Sequence, residues 1–380
     1  MNKTGQKLSF AIVCLIGFLM GFGSSVAETL VTKYAETLGA LPGAIGVVSS
    51  VCSISALLVL PISAPLLDAY NKKWIYFASA SMLAIAYVGF AFSHSVNALI
   101  FFRLVNGIGK GVANAVCMAM ASDVLSDEKK TQGVVYCSLA MAISMAFAPS
   151  AGLFISNHYG YFVLFIFSAV IIAVTMALAM LVKTPKGTGK IRISLSSMIA
   201  RGSIQPAVLM LFLATAYSVV NSFVVVYATG MDISDIGIYF TVYSLVLLVS
   251  RPLVTKLSKK IPMTLIMIPA MLFFALSMYL ISISRNITMF VISAIVAAFG
   301  YGVCQPLVQA MCIEKAGEGK SGVGSSTSFI GTNVGYFVGP YVGGLIAEKS
   351  GYPVMFRYMI VPVVLGAILL MYMNRKEVRK

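Results

Sequence analysis

Four polar residues in an apolar stretch pose the chemical problem of this chain. In RLVNGIGKGVAN, residues 103–114, Arg103, Asn106, Lys110 and Asn114 recur at spacings of three and four. Steps of about 100° per residue put all four within a stripe of about 80° on one helix face. Two cations and two amides in such a stripe can hold an anion, hydrate a crevice or carry a proton, but they cannot face lipid. Counted from a helix start near Asn97 at about 1.5 Å per residue, Arg103 lies roughly 9 Å and Lys110 roughly 20 Å into a bilayer. A lysine at that depth costs about 2.5 to 3.5 kcal/mol on insertion scales. Three readings offset the cost: the solute is itself an anion, the ammonium reaches water in a cavity, or Lys110 cycles between neutral and charged forms in proton coupling. Glu28, near the outer end of the first apolar run, is the expected partner of Arg103, as a gate or as plain structure. No acid stands out as a mid-membrane partner for Lys110.

The elements that must position this stripe follow from composition. Of 380 residues 59% are hydrophobic and only 10% charged, with a mean hydropathy of +0.94; soluble domains carry about 25% charged residues. The reading is an all-α integral membrane protein. Apolar runs of the roughly 20 residues needed to cross a hydrocarbon core recur twelve times. Their approximate limits are 8–28, 44–67, 74–93, 97–121, 133–156, 161–182, 204–229, 235–254, 262–283, 287–311, 323–347 and 354–374. Positive residues alternate with these spans: 21 fall on the side of the N-terminus, four on the other, and Arg103 and Lys110 within the membrane. The bias predicts a multi-pass protein of the cell membrane with both termini cytoplasmic, and it explains the net charge of +15 without a nucleic-acid partner. The six cysteines lie in spans or at their ends without CxxC spacing, and His94 and His158 stand alone, so no disulfide framework or metal site is expected. The sequence has no HExxH, GxSxG or Walker loop, which argues against an enzyme or an ATP-driven pump.

The chain also repeats itself. APLLDAYNKK (64–73) lies over RPLVTKLSKK (251–260), and residues 148–165 lie over 339–356 at an offset of 191, matching Pro149 with Pro340, Gly152 with Gly343 and Gly160 with Gly351. The same offset sets Lys110 over Tyr301 and Asn114 over Gln305. Two parallel six-helix halves are expected, 1–182 and 204–380, joined by a Gly-, Ser- and Lys-rich cytoplasmic linker at 183–203.

Six plus six spans with a basic central loop resemble the major facilitator superfamily. Its loop between helices 2 and 3, G-x-x-x-D-R-x-G-R-R, is matched by Asp68, Lys72 and Lys73, with the glycines and the arginine replaced. The arginine and glycine of helix 4 in the drug/proton antiporter branch match Arg103 and Gly107. That branch's helix 5 pattern, G-x-x-x-G-P-x-x-G-G, survives in part as Pro149 and Gly152 and in full in span 11 as Gly335, Gly339, Pro340, Gly343 and Gly344. The resemblance implies that spans 1, 4, 7 and 10 line a central cavity.

On the residues themselves, Asp68 with Lys72 and Lys73 forms either a latch between states or a set of solvated topology charges. Pro149, Gly152, Gly339 and Pro340 serve gating or plain helix packing. Tyr217, Asn221, Tyr301, Gln305 and Asn333 are further cavity candidates, each also readable as a helix-to-helix contact. If both helices line the cavity symmetrically, Tyr301 faces Lys110. The expected function is secondary transport of a small amphipathic or anionic solute by alternating access, with no cofactor and a proton gradient as energy source. The resemblance favours efflux; anion uptake or exchange and facilitated diffusion stay open. The expected partners are the solute and the lipid bilayer, with the protein a monomer.

Overall fold

Backbone amides and carbonyls in hydrocarbon must be satisfied within the chain, and the computed structural model is accordingly helical almost throughout. It describes residues 3–124, 130–182, 199–233, 235–258, 260–317 and 320–378. The helices are α1 Lys3–Thr37, α2 Pro42–Ala69, α3 Lys72–Ala91, α4 Val96–Asp123, α5 Lys130–Leu181, α6 Ile204–Thr229, α7 Gly237–Leu257, α8 Met263–Ile283, α9 Ile287–Ala316, α10 Ser321–Ser350, α11 Tyr352–Tyr358 and α12 Ile360–Val378. Among the described residues, nine helices are long and apolar enough to cross a membrane. Residues 183–198, most of the expected linker, lie outside the described residues. Its end, Ala200–Ser203, is anchored: the Ala200 amide donates to Thr327 Oγ1 and Ser203 Oγ to the Cys312 carbonyl.

Two departures from the expected spans have local causes. Spans 5 and 6 run together as α5, broken at Gly160, which has φ 81° and ψ 169°. Gly351 has φ 84° and ψ 162° between α10 and α11. This region of backbone space is open to glycine alone among ordinary residues, so the repeat seen in sequence is a repeat of the turn. Span 1, expected to end at 28, continues as helix to Thr37. Leu30, Val31 and Ala35 carry its apolar face onward, fully buried, and Tyr34 donates its hydroxyl to the Ser93 carbonyl at 2.6 Å. Lys33 and Glu36, charges within this extension, neutralise one another one turn apart.

Contacts divide the chain into two compact units, Met1–Leu38 with Ile54–Ser194 and Gly39–Ser53 with Leu195–Lys380. The first turns of α2 thus group with the second unit, whereas the sequence division puts them in the first half. The Gly43 amide donates to Glu348 Oε2 at 3.0 Å, and the Ser49 and Ser222 hydroxyls are 2.6 Å apart. Each unit is organised by one extensive helix pair, α1 with α5 in the first and α6 with α10 in the second. Hydrocarbon gives helices no hydrophobic drive to associate, so close packing over small residues supplies the attraction. In the second unit Gly331, Gly335 and Gly339 of α10 lie in turn against Ala207, Leu211 and Thr215 of α6. In the first, Gly21 of α1 meets Met141 and Ser144, and Gly152 of α5 meets the Val26 carbonyl.

A carbon added at Gly335 would meet the Leu211 carbonyl at 2.6 Å and Ala214 at 2.7 Å, whereas one added at Gly322 would meet nothing within 4 Å. Gly335→Ala is therefore expected to lower the thermal unfolding midpoint in detergent, and Gly322→Ala to leave it unchanged or raise it. Equal midpoints for the two variants would remove the packing role assigned to the glycine row.

Candidate functional site

The polar stripe of α4 is built as its spacing requires. Ser95 caps the helix, its hydroxyl accepting from the Ala98 amide at 3.3 Å, which satisfies one of the orphan donors of the first turn. Gly109 lies against the Ser79 carbonyl of α3, and Gly111 against Ala56 and Val59 of α2. These close approaches seat two flanks of α4 against its neighbours. Arg103 and Asn106 are buried, Lys110 and Asn114 half-buried.

Lys110 Nζ lies 2.6 Å from Glu28 Oε2 of α1, an ion pair and a charge-assisted hydrogen bond. The expectation that Glu28 pairs with Arg103 is corrected: the carboxylate goes to Lys110, so the lysine does have an acidic partner within the protein. The cause is the length of α1. Glu28 lies nine residues before Thr37, or about 14 Å along the axis at 1.5 Å per residue, well inside the helix rather than at its outer end. The lysine side chain is 33% exposed and the glutamate 18%, so the ammonium is the more accessible partner. Glu28 Oε1 is buried and accepts no hydrogen bond from the described residues. The bundle therefore holds a carboxylate with one oxygen engaged by an ammonium and the other buried without a hydrogen bond from the described residues.

The second unit concentrates aromatic rings where the first has charge. Tyr217 of α6 stacks on Tyr301 of α9, with ring centroids 4.0 Å apart and planes 5° apart. Tyr243 of α7 and Tyr336 of α10 flank Tyr217 at 5.8 and 6.4 Å, and Phe274 of α8 lies 5.5 Å from Tyr301. Tyr301 is only 3% exposed, so the stack is a packed floor, with Tyr217 its more accessible ring. Tyr243 and Tyr336 were not anticipated: each shares its apolar span with a second tyrosine, Tyr239 or Tyr341, and only the convergence of four helices singles it out.

The remaining candidates separate into three groups. Gln305, one turn beyond Tyr301, and Asn221 are half-buried. Asn333 is buried and donates Nδ2 to the Phe329 carbonyl of its own helix at 2.9 Å. Gly152, Gly339, Pro149 and Pro340 are buried packing positions, and the Pro340 carbonyl lies against Gly46. In the loop after α2, Lys73 Nζ donates to the Met180 carbonyl at the end of α5, where a cation complements the helix dipole. Asn71 caps α3 through the Lys73 amide, and Lys72 is half-buried. The Asp68 side chain lies outside the described residues. The described residues contain no group of three His, Cys, Asp or Glu placed to hold a metal.

Comparison with known proteins places this arrangement. The family model described as Major Facilitator Superfamily matches residues 13–327 and 194–380. An uncharacterized transporter of Buchnera aphidicola is 29% identical over 170 residues, 44% of this chain and 42% of the relative's length. Multidrug resistance protein 2 of Bacillus subtilis is 21% identical over 386 residues, covering 95% of this chain and 94% of that protein. Among solved structures, a point mutant of the nucleoside transporter NupG superposes with a TM-score of 0.80 at 14% identity, over 97% of this chain and 99% of that one. The helices, the repeat of the glycine turn and the family match agree: this chain belongs to the major facilitator superfamily, and it is a membrane transporter rather than an enzyme.

Proposed function

We propose that this protein exports a small amphipathic solute in exchange for protons, by alternating access of two six-helix bundles in the cell membrane. The observation that carries the reading is the Glu28–Lys110 pair within the first bundle. Antiport requires solute and proton to compete, so that each leaves as the other binds. Glu28 meets that requirement: a proton on the carboxylate removes the charge that holds Lys110, and a cationic solute group drawn to the carboxylate opposes that protonation. Within the second unit the half-buried ring of Tyr217, stacked on Tyr301, is an apolar aromatic face of its own. The name of the B. subtilis relative, a multidrug resistance protein, supports efflux of such solutes. The energy source in this reading is the proton gradient alone, without a bound cofactor.

One observation favours a second reading. Lys110 is the more exposed member of the pair, so an anionic solute arriving from water meets the ammonium first. Linkage then reverses the coupling. An anion that takes Lys110 leaves Glu28 uncompensated and so promotes its protonation; anion and proton bind together, and the cycle is one of co-transport. The sign of the proton flux thus follows from which member of the pair the solute engages.

Proteoliposome flux with and without an imposed pH gradient, across cationic and anionic aromatic solutes, separates the two. For efflux, Glu28→Gln is expected to reduce gradient-driven transport by about tenfold or more while solute exchange without a gradient persists. An unaltered response of Glu28→Gln to the gradient would refute coupling at this site. For the anion reading, Lys110→Ala is expected to weaken transport of anions selectively, with insertion and expression intact; equal transport of every anion by the variant eliminates it.

A charge reversal across the pair supplies an independent check. Glu28→Lys alone and Lys110→Glu alone each place like charges together and are expected to lower folded yield in detergent, and the double reversal to recover most of it. Failure of the double variant to recover yield would mean that the pair's surroundings, and not the pair itself, determine stability.

A further inference from the structure

The second unit carries a feature that transport at the ion pair does not use. A groove of about 460 Å³ runs between α7, α8 and α9, lined by Val254 and Leu257, by Leu265, Pro269 and Phe273, and by Phe299. Its wall is almost wholly apolar, and Leu257, Leu265, Phe273 and Phe299 are exposed. At one end the chain turns tightly from α7 into α8: the amides of Lys260 and Ile261 both donate to the Leu257 carbonyl, at 2.9 and 3.0 Å. Leu257 and Ile261 belong to the groove wall, and Lys256 and Lys260, both exposed, flank them in the chain at this turn. Exposed Arg251 lies upstream in α7, beside the groove residue Ser250. Between residues 236 and 313 the sequence contains no Asp or Glu, and the three groove helices carry a single acid, Glu314 in the last turn of α9.

An apolar groove in a bilayer selects little by itself, because a lipid tail is as well solvated by other tails as by leucine and phenylalanine. Selectivity has to come from the polar end, where Lys256 and Lys260 outnumber Glu314, the single acid on the three groove helices. Basic clusters beside membrane helices attract anionic headgroups, and the charge bias of the sequence expects this end in the cytoplasmic leaflet face, where such headgroups concentrate. We propose that the groove holds an acyl chain of an anionic phospholipid whose phosphate rests against Lys256 and Lys260. The inference stands apart from the coupling reading, since neither Glu28 nor Lys110 takes part in it.

The test uses the full chain, purified in detergent and supplied with defined lipids, with bound lipid read by native mass spectrometry. Wild-type protein is expected to retain phosphatidylglycerol under conditions that strip phosphatidylcholine. Each lysine removed is expected to weaken retention roughly fivefold, so Lys256→Gln with Lys260→Gln lowers it on the order of 25-fold. Val254→Trp, which fills the groove and leaves the charges in place, is expected to lose the bound lipid as well. Should that variant fail to fold, the double lysine variant decides alone. Equal retention of the two lipids by wild-type protein, or undiminished retention of phosphatidylglycerol by the lysine variant, overturns the proposal. So does displacement of bound lipid by an uncharged amphipathic solute with equal efficiency in both proteins, which would assign the groove to solute.

Discussion

An ammonium group held deep among apolar helices must be compensated, and in the first unit the compensating charge is Glu28. Desolvating two charges costs about as much as their attraction returns, so the pair adds little net stability. What it does impose is a fixed relation between α1 and α4. Glu28 is presented by a helix that continues nine residues past it, and Lys110 by a helix capped at Ser95 and seated against α2 and α3 by glycine contacts. The first unit is arranged so that these two long side chains meet.

The two units solve one packing problem with different centres. α1 with α5 and α6 with α10 are close-packed pairs in which small residues admit a neighbouring backbone, and Gly160 and Gly351 make the same turn in nearly the same conformation. At the repeat-related positions 110 and 301, one unit carries a lysine in an ion pair and the other a tyrosine in a ring stack. A duplicated scaffold has kept its backbone constraints and diverged in side-chain chemistry. Steric limits on glycine turns admit no substitute, whereas a half-buried face inside a bundle accepts any group whose polarity is satisfied.

Helices were legible because hydropathy over twenty residues reports on the solvent, and the repeat was legible because glycine and proline mark backbone needs that survive divergence. The α4 stripe was legible for the same reason of periodicity. The partner of Lys110 was not. Glu28 is 82 residues away, and its depth depended on where α1 ends, which the hydropathy reading places at 28, nine residues before Thr37. The tyrosine cluster was half visible: Tyr217 and Tyr301 stood out on spans 7 and 10, but their stacking and the approach of Tyr243 and Tyr336 are tertiary facts. Asn333 lies on an apolar helix with its amide Nδ2 donating to the Phe329 carbonyl of that same helix, a contact periodicity alone does not show.

The location of the ion pair also bears on how charge can be exchanged there. α1 packs on α5 far more extensively than on α4, so the pair bridges a sparse seam while the dense seam lies elsewhere on α1. Backbone contacts such as Gly152 on Val26 leave no slack, and separating α1 from α5 would forfeit van der Waals contact that lipid cannot replace with equal density. Parting Lys110 from Glu28 disturbs none of those contacts. A proton or a solute group that took the place of one partner would therefore act against side-chain electrostatics alone, and the bundle would keep its shape while its internal charge changed. That separation, rigid glycine-packed faces on one side of a helix and an exchangeable charge on the other, is what permits a site to be read by a ligand without the helices that build it coming apart.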